Sequence, residues 1–139
     1  YSLAPDRETN PKVRQKHRDE GLVLVEEQPG ANGRQKLIER TKKFFVLKQF
    51  ANFLPPGTQR IAIDSPDPLL VSAYRKRNGK EGVVIAINPS NQVIGLNLNL
   101  PDGGKVKSAF QTDRQLNCEA VKASSPLPPK SIRTLVYSR

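Results

Sequence analysis

From residue 59 onward the chain is cut every 8–14 positions or so by turn residues, and that grammar excludes most folds. The segments between the cuts are short and rich in β-branched or alternating apolar residues, as strands are. Residues 59–63 form the first, with Ile61 and Ile63 on one face. Residues 69–76 form the second, after the turn Ser65-Pro66-Asp67-Pro68. Arg77-Asn78-Gly79-Lys80 carries Asn-Gly, which predicts a type I′ hairpin. Residues 82–88 (GVVIAIN) are apolar on both faces and predict a central strand. Residues 92–100 alternate, with Ile94, Leu96, Leu98 and Leu100 inward and Asn97 and Asn99 outward. Residues 105–112 place Val106 and Phe110 on the core side, 118–123 form a sixth segment, and 131–137 close the set. Seven such segments predict an antiparallel sandwich or barrel, and the hairpin order favours the sandwich.

Residues 41–57 are the one long stretch with helical period, TKKFFVLKQFANFLPPG. Thr41 predicts the N-cap, and Pro55-Pro56-Gly57 the stop. At 100° per residue, Phe44, Val46, Leu47, Phe50, Ala51, Phe53 and Leu54 cover roughly 180° of the helix, against about 100° for an ordinary surface helix. Such a helix needs two partners. If the chain supplies only one, either Leu47, Ala51 and Leu54 or Val46, Phe50 and Phe53 are left against solvent, the N-terminal segment or a second copy of the chain. A homodimer through that face is the corresponding expectation.

The expected organisation is a polar N-terminal segment over 1–40, the linking helix over 41–57 and an antiparallel sandwich over 58–139. In the first of these, residues 1–20 show no period, 21–25 (GLVLV) predict a short strand, and 35–40 read as the lead-in to the helix. No apolar run approaches the 18 or so residues of a membrane span. The chain opens on Tyr1 and contains no Met, which suggests a fragment or processed product. The single cysteine, Cys118, rules out an internal disulfide and reads as a small packed residue. Cytoplasm and bacterial export are both compatible with that.

Net charge is +10: residues 1–34 are neutral, 35–54 carry +4 and 55–139 carry +6. The local cluster is Arg75, Lys76, Arg77 and Lys80, and aromatic residues do not interleave with it. Nucleic-acid binding is therefore disfavoured. His17 is the only histidine and has no Cys or second His nearby, so no metal site and no Ser-His-Asp triad is expected. Glycoside hydrolysis needs two convergent carboxylates. Asp64, Asp67, Glu81, Asp102, Asp113 and Glu119 all fall in turns or at strand ends, and Glu26 and Glu27 are strand neighbours pointing to opposite faces. Phosphate loops, dinucleotide fingerprints and nucleophile elbows are absent, and no cofactor is expected.

Three stretches resemble the C-terminal end of glycoside hydrolase family 30, the glucosylceramidase, xylanase and galactanase-type enzymes. Residues 43–57 (KFFVLKQFANFLPPG) are similar to the family's aromatic helix, residues 70–74 with the hairpin and VVIAIN to the two strands after it, and residues 127–136 (LPPKSIRTLV) to its closing strand. Residues 19–25 are similar to the segment after the last barrel strand, so the resemblance covers 19–139. It implies a (β/α)8 barrel with a side β-sandwich, and two catalytic glutamates that would both lie before Tyr1. It therefore implies a chain that is mainly β, an antiparallel sandwich of seven to eight strands with one N-terminal amphipathic helix. It also implies a non-catalytic role beside the barrel, which would be this chain's partner, with the helix between the two. A stand-alone carbohydrate-binding module is the second reading, for which Tyr74, Asn97, Asn99 and Tyr137 are the candidate contacts to a polysaccharide or glycoside. A basic protein- or nucleic-acid-interaction domain is the third.

Overall fold

The computed structural model describes residues 21–27, 35–100 and 103–138. It divides into two compact units, Tyr1–Phe45 and Val46–Arg139.

In the first unit, β1 (Val23–Glu27) pairs antiparallel with β2 (Gln35–Arg40), with a bulge between Leu24 and Val25. Residues 35–40 are thus a strand rather than the approach to the helix. A six-residue stretch has too short a period to choose between the two, and a partner strand decided it. Helix α1 (Lys42–Ala51) follows directly. Thr41 stands just before it, and its carbonyl accepts from the amides of Phe44 and Phe45. The Thr41 hydroxyl, however, is shared between the carbonyls of Gly21 and Leu22 at 2.9 and 3.0 Å, tying the helix start to the residues that lead into β1.

The second unit is built on one six-stranded antiparallel sheet of order β3-β4-β5-β8-β6-β7. Its strands are β3 (Gln59–Ile61), β4 (Leu70–Arg75), β5 (Glu81–Asn88), β6 (Lys105–Thr112), β7 (Asn117–Ala120) and β8 (Ser131–Ser138). The final strand enters the middle of the sheet, paired along its whole length with β5. These two strands carry Val83, Val84, Ile85, Ala86, Ile132 and Leu135, all essentially inaccessible to solvent. Their apolar runs are what a strand covered on both faces requires.

One face of the sheet presents Val83, Ile85 and Ile132, covered by Phe50, Phe53 and Leu54 at the end of α1 and beyond it. The Phe53 ring meets that of Phe110 at 5.0 Å between centroids. The other face presents Ala73, Val84, Ala109, Leu135 and Tyr137, with Leu69, Ala86 and Leu127 further along. It is covered by Ile94, Leu96, Leu98, Leu100, Val121 and Ala123. The molecule is therefore mainly β and sandwich-like, with irregular chain forming much of the second layer.

Four expectations change in detail. Residues 92–100 keep their alternation of half-buried and exposed side chains, but only Ile94 makes a bridge, to Leu127; the rest of the segment lies on the sheet by its side chains without joining a ladder. In β6 a bulge between Val106 and Ser108 reverses the facing, so that Val106 shares a face with Ala109 while Phe110 lies on the other, and Val106 is 36% exposed. The hairpin is not type I′. Lys76 and Glu81 close a four-residue loop, and Gly79 alone is left-handed, at φ 67°. Finally, neither set of helix residues is exposed as a whole. Val46, Leu47 and Ala51 face outward, while Phe50, Phe53 and Leu54 lie on the sheet. The helix ends at Ala51, so Phe53 and Leu54 no longer follow the 100° step that grouped them.

Candidate functional site

The residues expected to contact sugar do not converge. Tyr137 is 3% exposed, its ring lying over Gly82 on the neighbouring strand. Tyr74 is half-buried on the opposite face, near Val83 and Ile85. Asn97 and Asn99 are exposed on the segment that covers the Tyr137 face. At the basic hairpin tip, Lys76 pairs with Glu81 at 3.2 Å and Lys107 stands 4.0 Å from the same carboxylate, so part of that charge is neutralised. His17 lies outside the described residues.

Cys118 is half-buried, and burial pushes its thiol up while Lys48 pulls it back. A thiol held protonated is a poor nucleophile. Among the described residues, no group of three or more His, Cys, Asp or Glu is arranged to hold a metal ion.

Among the described residues, a recess lies at one end of the sheet, where the chain leaves β5, turns between β6 and β7, and enters β8. It is a cleft of about 390 Å³. Its walls are held by buried polar groups. Asn88, the last residue of β5, is fully buried; its amide nitrogen donates to the carbonyls of Gln92, Leu127 and Pro128 at 2.7–3.2 Å. Its oxygen accepts from the amide and hydroxyl of Ser90. A side chain with both donors and acceptor is needed here, and a carboxylate would lack the donors. Ser131 closes the same corner by donating to the Pro128 carbonyl at 2.6 Å.

The second support is Arg133, 1% exposed and directly opposite Gln111 in the ladder between β6 and β8. Its guanidinium donates to Gln111 Oε1 and to the carbonyls of Ala123, Ser125 and Pro126. Gln111 in turn donates to Asp113 Oδ2 at 2.5 Å. The other Asp113 oxygen accepts from the amides of Gln115 and Leu116, which shapes the turn. Burial pulls the Arg133 guanidinium down and Asp113 opposes that; an arginine in this setting stays charged.

Against this frame stand the groups that face the opening. Pro128 and Pro129 give an apolar wall, Asn91 and Gln115 supply amides, and Arg114 and Lys130 supply positive charge. Lys130 is held in the left-handed region at φ 50°, its ammonium donating to the Pro89 carbonyl at 2.5 Å. The one carboxylate in the cleft, Asp113, has both oxygens engaged. The acid–base pair of glycoside hydrolysis is therefore absent from this recess. Asn88, Gln111 and Arg133 were not singled out from sequence. For Arg133 the signal was there, as an Arg inside the mostly apolar run Ile132–Tyr137, since buried polar groups are rarely there without partners; Gln111 lies in the mixed run KVKSAFQT, which carries no such mark.

No family model and no curated protein matches the chain. Solved structures do. A family 30 endoxylanase from Clostridium papyrosolvens is 30% identical over 72% of this chain, with a TM-score of 0.62. A conserved exported protein from Bacteroides fragilis is 25% identical over 84%, with a TM-score of 0.68. The chain is similar to one part of a family 30 glycoside hydrolase. A subfamily 8 xylanase of that family from Clostridium acetobutylicum shares the fold at 23% identity over 87%, with a TM-score of 0.66. The chain spans only 28%, 26% and 31% of these three proteins, consistent with the C-terminal region of the family 30 enzymes.

Proposed function

We propose that this chain is a non-catalytic β-sandwich domain of a family 30-type glycoside hydrolase. It supports a (β/α)8 catalytic barrel and shapes one rim of the substrate cleft. The observation that carries this reading is partial coverage: the chain matches less than a third of each solved relative, two of which are xylanases. Two physical features support it. The recess of the sandwich contains one carboxylate, already engaged, where hydrolysis needs two. Helix α1 leaves Val46 and Leu47 39% and 50% exposed beside Ala51, an apolar strip suited to a protein surface. On this reading residues 1–40 adjoin the barrel, 41–57 link it to the sandwich, and 58–139 are the sandwich.

The test is direct. Purified 139-residue chain is expected to release no reducing ends from xylan and no aglycone from aryl β-xylosides. Steady turnover that survives repeated purification would overturn the non-catalytic role.

A further inference from the structure

We propose that the cleft between Asn91, Arg114 and Lys130 binds an acidic saccharide through its carboxylate, a uronic acid residue being the simplest such ligand. The choice of a saccharide rests on the reading of the chain as part of a glycoside hydrolase. The supporting role beside a barrel makes no claim on this cleft.

Four observations lead there. The volume, about 390 Å³, falls within the ~300–1,000 Å³ typical of small-molecule sites. The walls are pre-formed, since buried Asn88 fixes one side and buried Arg133, through Gln111 and Asp113, fixes the other. A site that spends buried amides and a buried guanidinium on rigidity loses little ordering entropy when a ligand arrives.

The charge is cationic and accessible. Asp113 is occupied by Gln111 and two backbone amides, and Arg133 stands behind it. Arg114 forms no ion pair with any described residue. Lys130 donates one N–H to the Pro89 carbonyl, which leaves two of its three for a ligand. Lys130 also adopts a backbone conformation that costs a non-glycine residue energy, a feature that clusters at binding sites.

The chemistry is mixed in a way that suits a sugar acid. The Arg114 fork matches a carboxylate. The amides of Asn91 and Gln115 can both donate to and accept from hydroxyls, and the Pro128 and Pro129 rings offer an apolar wall to the C–H face of a pyranose.

The experiment is a titration of the 139-residue chain with trigalacturonate, followed by amide NMR and calorimetry at low salt. Saturable binding is expected, with shifts centred on Asn91, Arg114 and Lys130. Fully methyl-esterified trigalacturonate is expected to bind at least about tenfold more weakly, because a charge-assisted hydrogen bond is lost. Arg114→Gln and Lys130→Asn should each reduce affinity about tenfold with the amide spectrum otherwise retained; asparagine tolerates the left-handed backbone. Lys80→Gln, at the distant hairpin, should change nothing. The proposal is overturned by any of these results: no saturable binding, equal affinity for the ester, or equal weakening by Lys80→Gln. Inorganic phosphate or a short poly-glutamate binding as tightly as the saccharide would also overturn it, by showing that only charge is read. None of these outcomes bears on turnover by the chain, so this proposal and the non-catalytic role fail separately.

Discussion

Gly82 and Tyr137 face each other across β5 and β8, and the phenol lies where a Cβ on residue 82 would be. Glycine is needed here for closeness. Gly82→Ala is expected to destabilise the protein by about 1–3 kcal/mol through overpacking, read from the urea midpoint. The same contact explains why Tyr137 is buried, whereas strand alternation alone allowed it to be packed or exposed. One position earlier, the Lys76 side chain holds the Glu81 carboxyl below the usual carboxylate range, with Lys107 and Asn78 adding to it. A carboxyl depressed in the folded state adds stability above its unfolded value, and that stability is lost as pH falls through the folded one. Lys76→Ala is accordingly expected to move the Glu81 titration up toward its ordinary value, measured by carboxyl carbon NMR between pH 2 and 6 or so. An unchanged midpoint would show that the ion pair is not formed in solution.

At the scale of elements, α1 shows how a helix can be read correctly as amphipathic and still be assigned the wrong faces. Its excess apolar surface was legible, but the expected run to Pro55-Pro56-Gly57 was too long, since the helix ends at Ala51. The facing was not legible, because the helical step ends at Ala51 while the apolar residues continue. Phe53→Ala should cost about 2–3 kcal/mol, below the ~3–5 of a fully buried phenylalanine because the ring is half-buried. The double change Val46→Lys with Leu47→Lys should alter the unfolding free energy of the chain by no more than about 0.5 kcal/mol, as exposed positions do. Urea unfolding checks both, and a large loss in the lysine variant would mean that the strip is covered within the chain. In β6, one bulged residue moved Val106 away from the side shared with Phe110. The sequence carries no mark of that bulge, because strand period assumes an unbroken ladder.

For the molecule as a whole, the six-stranded sheet and its two covered faces draw only on residues after Val46, together with the helix end. A chain starting at Thr41 is expected to keep a single cooperative urea transition and a dispersed amide spectrum. Loss of both would show that the sheet depends on the first forty residues.

What the amino-acid sequence determined by itself was the class and the parts list. Turn residues and alternation dictate short antiparallel strands, and GVVIAIN dictates a strand covered on both faces. The aromatic helix and LPPKSIRTLV carry the likeness to family 30 enzymes. These are local properties, written in neighbouring residues. Tertiary structure alone decided that the last strand enters the middle of the sheet, that 92–100 packs without pairing, and that Asn88 on one side and Arg133 with Gln111 on the other brace a cleft. Each of these depends on which distant backbone groups find one another. Burial then leaves polar side chains only the partners that the assembled fold provides.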